Sequence, residues 1–354
     1  MKLVHSADFH LNKSFSELSG KAAEVRRSEQ LETVGRICNL AKDADVLLLC
    51  GDLLDTNEFD KNTMDNLCAG FQKIPDTKVF IVLGNHDPFT ENSPFRMVCL
   101  PDNVHIFGNK LERVSLPQAD IYGMSYSNDM PRLTDITIEQ PDKLNILLFH
   151  GELNGSQYYS VSEAEIGASG FDYIAMGHVH AFSGLQRAHK TWYAYPGVPE
   201  PTGFDETGEK GIICGTIEKS LCGLRFEKTC KRQYRTIAIE LNCPSSYEEI
   251  VSLILEQAVE RNDLYKIVLK GFVSLDFIIH TEVLQEKLQD SLYFCKIRNQ
   301  TRLPVPYEAI AEQYSLRGIF VKNMLAKIRQ EPEREDELML ALQAGLAAME
   351  GKSL

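Results

Sequence analysis

Residues 79–87, Val-Phe-Ile-Val-Leu-Gly-Asn-His-Asp, carry five large apolar side chains in a row and then, with no spacer, Gly84, Asn85, His86 and Asp87. A short apolar run without alternation reads as a strand buried on both faces, as in a parallel sheet covered by other layers. The polar group that follows then lies just beyond the carboxyl end of that strand. Four more runs share this grammar. Residues 3–5 lead to Asp8, Phe9 and His10, and residues 46–50 to Gly51 and Asp52. Residues 146–149 end at His150, and residues 173–176 at Gly177, His178, Val179 and His180.

Between the first three runs the period becomes helical. Residues 24–42 place Val25, Leu31, Val34, Ile37 and Leu40 on one apolar stripe, and residues 61–72 read as a second helix. Strands alternating with helices predict an α/β core. Consecutive strands follow at 192–195, 211–217, 221–228 and 235–241, which predict an added antiparallel section. Asn242-Cys243-Pro244-Ser245-Ser246 marks a boundary, with Ser246 a candidate cap for a helix through 260. A small unit comes next, with strands at 266–273 and 293–298 and a helix at 282–288, until Leu303-Pro304-Val305-Pro306 breaks it. Two amphipathic helices then flank the acidic stretch 331–337. The expected domains are 1–242, 243–303 and 304–354.

The chain has 354 residues, enough for two domains at roughly 150 residues each. Its 44% hydrophobic and 25% charged content excludes wholesale disorder, collagen and coiled-coil rods. No run approaches the ~18 apolar residues of a membrane span, and Met1 leads directly into a strand-like segment, so a cytoplasmic protein with no membrane contact is expected. Nine cysteines without a CxxC pair read as reduced thiols rather than a disulfide framework or zinc ribbon. The net charge of -13 argues against autonomous nucleic-acid binding, which usually leaves a basic footprint.

Five of the nine histidines fall at the five strand ends. In open α/β sheets functional groups gather beyond the carboxyl ends of strands, so these sites are expected to converge. Each alone could be turn chemistry or a hydrogen-bonded core histidine. Five successive buried polar strand ends, however, would cost free energy unless something satisfied them, and a metal centre does so. Two carboxylates, one amide oxygen and four imidazoles, with no thiolate, suit manganese, iron or zinc better than magnesium or calcium. Seven ligands exceed one tetrahedral site and suit two ions about 3.5 to 4 Å apart, a pair that stabilises the attacking and leaving oxygens of a phosphoryl displacement.

DxH, GD, GNHD, a lone His and GHxH, in this order, resemble the signature of the calcineurin-like metallophosphoesterases. The resemblance implies a four-layer α/β/β/α sandwich with a small α/β capping domain and a helical C-terminal tail. It places Asp8, His10, Asp52 and His180 on one metal and Asp52, Asn85, His150 and His178 on the other, with Asp52 bridging. His86 would stand beside the scissile phosphate without touching a metal, and Asp87 would support the site by orienting an imidazole or would be a turn residue. Within that superfamily the chain is most similar to the SbcD-type, YhaO-like DNA repair nucleases. Three stretches carry this likeness: Val4-His5-Ser6-Ala7-Asp8-Phe9-His10-Leu11, Gly51-Asp52-Leu53-Leu54-Asp55-Thr56 and Tyr195-Pro196-Gly197-Val198-Pro199-Glu200. Val198 departs from the serine usual in the third. The implied activity is a manganese-dependent DNA exonuclease, with endonuclease action open, working as a homodimer with an SMC-like ATPase of SbcC type. Iron and zinc remain alternatives to manganese. A phosphatase or cyclic-nucleotide phosphodiesterase on the same scaffold is the rival enzyme, and a binding subunit with a vestigial site the rival outside enzymology.

Two further features bear on partners. Residues 219–235 hold six cations against one acid, and Lys228, Lys231 and Arg232 among them are candidate DNA phosphate contacts or a solvated hairpin face. Met339, Leu342, Leu346 and Met349 follow the spacing of a coiled-coil seam, with Leu316, Phe320, Met324 and Ile328 forming a series before it. The resemblance suggests that this tail docks the ATPase. Gly345 inside the seam helix costs on the order of 1 kcal/mol relative to Ala, which suits a helix ordered by a partner.

Overall fold

The five apolar runs become strands, and they divide between two sheets. In the computed structural model, which describes residues 1–18, 20–127, 130–156, 158–274, 277–302 and 305–349, β1 (Lys2–Ser6) leads through α1 (Gly20–Ala41) to β2 (Val46–Cys50). Helix α2 (Lys61–Gln72) then leads to β3 (Lys78–Val82) and β4 (Val104–Ile106). These four strands are parallel, with Val4 opposite Leu47 and Leu48 opposite Phe80. Next come β5 (Glu112–Ser115), β6 (Ala119–Gly123), β7 (Leu144–His150), the short pair β8 (Glu152–Leu153) and β9 (Ser160–Val161), and α3 (Glu163–Ala168). Strands β10 (Tyr173–Gly177), β11 (Gln186–Ala188) and β12 (Thr191–Ala194) complete a second sheet of order β11-β12-β10-β7-β6-β5, in which only the edges β5 and β11 run antiparallel.

Both faces of both sheets are covered, which is why the sequence shows apolar runs rather than alternation. Leu3, Val46, Leu48, Phe80 and Val82 meet Ile121, Ile146, Leu148, Tyr173 and Ala175 between the sheets. Their neighbours Val4, Leu47, Leu49 and Ile81 point the other way, onto Val34, Ile37, Leu67 and Phe71 of α1 and α2. On the far side, Leu147, Phe149, Ile174 and Met176 pack with Ile166 of α3. The result is the expected four-layer α/β/β/α sandwich.

The strands after residue 191 do not form one added antiparallel section. Strand β12 extends the second sheet parallel to β10, whereas β13 (Gly211–Glu218) and β14 (Leu221–Lys228) return as a hairpin beside β1, giving the first sheet the order β14-β13-β1-β2-β3-β4. Strand β15 (Tyr234–Asn242) enters a third sheet, β15-β16-β17, with β16 (Leu264–Phe272) and β17 (Phe294–Asn299). Each strand joins the sheet that still has an open edge, a choice that hairpin signals along the chain do not encode.

The chain divides into two compact units, Met1–Ile237 with Gln257–Ile267 and Gln285–Lys296, and Ala238–Glu256 with Val268–Leu284 and Ile297–Leu354. Helix α4 (Tyr247–Gln257) begins where Ser246 accepts the Glu249 amide at 3.2 Å, and α5 (Thr281–Leu288) follows β16. Of the expected Leu303-Pro304-Val305-Pro306 break, Leu303 and Pro304 lie outside the described residues. In the second unit α6 (Tyr307–Ala311), α7 (Leu316–Gln330) and α8 (Glu335–Met349) share a core of Ile310, Val321, Leu342 and Leu346, flanked by Phe320, Met324, Ile328 and Met339. Of the expected seam, Leu342 and Leu346 are buried within this bundle and Met339 packs against it, whereas Met349 is exposed, as is Leu316 of the preceding series. Gly345 has a local reason, because a Cβ there would lie 2.3 Å from the Phe320 ring. Among the described residues no helix is long and apolar enough to cross a membrane.

Candidate metal centre

Strands β1, β2 and β3 of one sheet and β7 and β10 of the other end at the same edge of the sandwich, and the turns beyond them carry the polar residues. The backbone there is unusual. Asp8, His10, Asp52 and His178 have φ of 54°, 46°, 50° and 112°, conformations that cost about 1–3 kcal/mol each in non-glycine residues. Hydrogen bonds between the turns hold them: Asp8 N–H to the Gly51 carbonyl at 3.0 Å, His10 N–H to the Asp52 carbonyl at 3.0 Å, and His178 N–H to the Asp8 carboxylate at 2.9 Å. The glycines of the motifs make room. A Cβ on Gly51 would lie 2.1 Å from His150 Nδ1, and one on Gly84 2.1 Å from Asp52 Oδ1.

All seven expected ligands come together, in two groups. Asp8, His10 and His180 form one and Asp52, His150 and His178 the other, with the donor atoms within each group no more than 4.8 Å apart. Asp52 reaches towards both, its Oδ2 lying 3.8 Å from His10 Nε2 and 3.4 Å from His150 Nε2. Asn85 Oδ1 is 3.0 Å from His150 Nε2.

The hydrogen-bond chemistry of these groups fits a cation. His150 Nδ1 faces the Cys50 carbonyl at 2.9 Å; a carbonyl only accepts, so Nδ1 carries the proton and a neutral ring turns its Nε2 lone pair to Asn85 Oδ1 and Asp52 Oδ2. Three acceptors thus face one another. In the other group His10 and His180 place their Nε2 atoms 3.1 Å apart, while their Nδ1 atoms are held by Asp55 at 3.2 Å and Glu206 at 2.7 Å. A divalent ion resolves both conflicts, and a carboxylate or carbonyl behind a ligating imidazole is the usual support. Without an ion, protons do part of this work. Burial opposes charge on His150, but Asp52 overrides it and lifts the imidazole to about 9; burial and the adjacent Asp52 push Asp8 up to about 6. Metal binding therefore competes with protons.

Sequence reasoning misses Asp55 and Glu206 as support for the site. Burial alone would raise the Glu206 carboxyl, yet the hydrogen bonds from His180 and the Thr202 amide hold it at about 2, keeping it an anion behind His180. Glu206→Gln is expected to lower metal affinity by about 10- to 100-fold while leaving the fold intact. Calorimetric titration of the variant with Mn²⁺ measures this, and wild-type affinity would refute the supporting role.

The calcineurin-like phosphoesterase family profile matches residues 1–182, just over half of the chain. The chain belongs to the calcineurin-like phosphoesterases. Among curated proteins it is 28% identical over 264 residues to the uncharacterized metallophosphoesterase YhaO of Bacillus subtilis (strain 168), an alignment covering 68% of this chain and 63% of that one. It is 24% identical over 302 residues to the DNA double-strand break repair protein Mre11 of Methanopyrus kandleri, covering 76% of this chain and 65% of the relative. The chain thus spans less than two thirds of either relative's length. A solved Thermus thermophilus protein, TT1561, aligns at a TM-score of 0.41 and 13% identity, covering 64% of this chain and 98% of that one.

The remaining site residues can be read against this family membership. His86 is exposed; its Nδ1 faces the Asp55 carbonyl at 3.0 Å and its ring stands edge-on to His10 at 4.8 Å. With His10 and Asp55 it forms a third group of possible donors. Asp87 takes partners other than the expected imidazole. Its carboxylate accepts the Gly84 amide at 2.7 Å and those of Leu53 and Leu54 at 2.8 and 3.1 Å, clamping the turn after β3 to the turn after β2. The side chain points under the turns and takes backbone amides there, in keeping with the turn role that the sequence left open beside imidazole support. The candidate DNA contacts are likewise engaged: Lys228 lies 3.4 Å from Glu209, Lys231 2.9 Å from Glu32, and Arg232 2.9 Å from Glu29 with its guanidinium over the Tyr293 ring.

Proposed function

We propose that this chain is a two-metal phosphodiesterase that hydrolyses DNA, with manganese as the working ion. The observation that carries the reading is the set of imidazole and carboxylate lone pairs turned inward on one another, with His10, His150 and His180 backed on their far sides by Asp55, the Cys50 carbonyl and Glu206. Asp8, His10, His180 and Asp52 would hold one ion, and Asp52, Asn85, His150 and His178 the other. When bound, the pair supplies the positive charge against which a phosphoryl displacement develops. The nitrogen- and oxygen-rich donor set, without thiolate, favours manganese, iron or zinc, and the relative named for DNA double-strand break repair favours a nucleic-acid substrate.

Within this reading His86 is the protein's own contribution to proton movement. Its Nδ1 is fixed on the Asp55 carbonyl, so Nε2 is the nitrogen that can meet a phosphoryl or leaving oxygen. His86→Gln is expected to keep both ions and to lose about 10²- to 10⁴-fold in turnover, the range for a positioned acid or base. Metal analysis alongside the rate decides it, because a parallel loss of metal would make His86 a ligand with His10 and Asp55.

The net charge of -13 and the paired state of Lys228, Lys231 and Arg232 suit a nuclease that meets DNA together with a partner. We assign that role to an SMC-like ATPase of SbcC type, with the nuclease as a homodimer; co-purification and light scattering test the two statements. The substrate is tested by one panel with manganese: single- and double-stranded DNA, cyclic nucleotides and p-nitrophenyl phosphates. Turnover confined to the small esters would overturn the nuclease reading in favour of a phosphatase or cyclic-nucleotide phosphodiesterase.

A further inference from the structure

A cleft of about 440 Å³ opens beside the first metal group, lined by Lys13, Ser14, Ser16, Thr202, Asp205 and Lys266 among others. Both of its walls are tied to proposed ligands. Lys13 stands on the turn that leaves His10, its amide donating to the His10 carbonyl at 3.2 Å. The opposite wall runs from Thr202 to Asp205, next to Glu206, the carboxylate that holds His180. The Lys13 ammonium is close enough to act electrostatically on Asp55, Glu206 and His180.

The charge state of this cleft sets it apart from the basic stretch at 219–235. There Lys228, Lys231 and Arg232 are each matched by an acid. Lys13 and Lys266 are half-buried, and among the described residues neither makes an ion pair. The two acids of the cleft are attended from elsewhere, Glu17 by Lys296 at 3.8 Å and Asp205 by the field of Lys210. Two half-buried lysines without an ion-pair partner, with Ser14 and Ser16 on the Lys13 loop, call for an anion with several acceptor oxygens. In a hydrolase of phosphate esters that anion is a phosphate.

We propose that Lys13 and Lys266 hold a second phosphate of the substrate, the one next to the scissile phosphate. The subsite rests on the reading of the chain as a nuclease and extends it, because it explains how the site would prefer a strand to an isolated ester. The preference is electrostatic and blind to base identity, as backbone contacts are.

The full chain, assayed with manganese, tests this on single-stranded oligonucleotides in which one phosphate beside the scissile one, on the 5′ or the 3′ side, is replaced by a neutral methylphosphonate. For one of the two sides the wild-type protein is expected to lose about 10- to 100-fold in kcat/KM, as for loss of a charge-assisted hydrogen bond. The Lys13→Ala/Lys266→Ala double variant starts lower on the unmodified strand and loses little more when the phosphate is neutralised. Because each protein is its own reference, a modest stability loss does not blur the result. Should the double variant not fold, Lys13→Ala alone carries the comparison, with a smaller but still reduced loss. Equal losses in variant and wild type, or no loss in wild type, would overturn the subsite while the unmodified strand is still cleaved. An unmodified strand that stays inert while an aryl phosphodiester is hydrolysed would instead remove the nuclease reading, and the subsite with it.

Discussion

Asp52→Asn is expected to leave a folded protein that holds neither ion tightly and has lost more than about 100-fold in phosphodiester turnover, beyond what removal of a group behind a ligand costs. Asp52 reaches towards both donor groups, at 3.8 Å from His10 and 3.4 Å from His150. It is also held as an anion: burial opposes its charge, but His150 and the hydrogen bonds around it drive the carboxyl well below its ordinary range. An amide keeps the shape and the hydrogen bond from the His86 amide, at 2.9 Å in the native protein, but contributes no charge between two cations. Metal analysis of the purified variant, with circular dichroism to verify folding, measures the effect. Two tightly bound ions in Asp52→Asn would contradict the bridging role.

The largest stability effect is expected in a buried ion network on α1. Arg26 on α1 is fully buried, and its guanidinium meets Glu29 at 2.5 Å, Glu200 at 2.7 Å and the Pro201 carbonyl at 2.8 Å. Glu200 is in turn held by Thr33 at 2.9 Å and by the Lys231 amide at 2.9 Å. Removing one member of such a network leaves buried charge uncompensated, so Arg26→Ala is expected to cost about 3–5 kcal/mol. At roughly 2–4 °C per kcal/mol for a domain of this size, Tm should fall by about 6–20 °C. The double variant Arg26→Met/Glu200→Gln should recover part of the loss, since one unpaired charge is gone, and the cycle of single and double variants gives the coupling directly. A melt of Arg26→Ala within a degree or two of wild type would show that the network is not a stability element.

Much of the site was legible along the chain because its grammar is local. An apolar run ends, the chain turns, and the next polar residue stands at the edge of the sheet, so Asp8, Asp52, Asn85, His150 and His178 could be named from spacing and residue type. The supporting carboxylates could not. Asp55 and Glu206 are two of fifty acidic residues; Asp55 lies in the Gly51–Thr56 stretch but its partner is not written there, and nothing adjacent to Glu206 distinguishes it from a solvated surface acid. What marks them is the imidazole each meets through space, His10 from 45 residues away and His180 from 26.

The amino-acid sequence by itself determined the strand and helix periods, the α/β class of the core and the identity of the ligand-bearing turns, because each depends on the order of side chains within about ten residues. Only the tertiary structure decided which sheet the strands after residue 191 join, that Gly345 leaves room for the Phe320 ring and that Leu342 and Leu346 of α8 face their own bundle, that Asp87 clamps backbone amides, and which lysines are matched by acids and which face a cleft. These are choices among partners far apart in the chain. They depend on which edges, cavities and counter-charges remain once the layers have packed, and no local pattern carries that information.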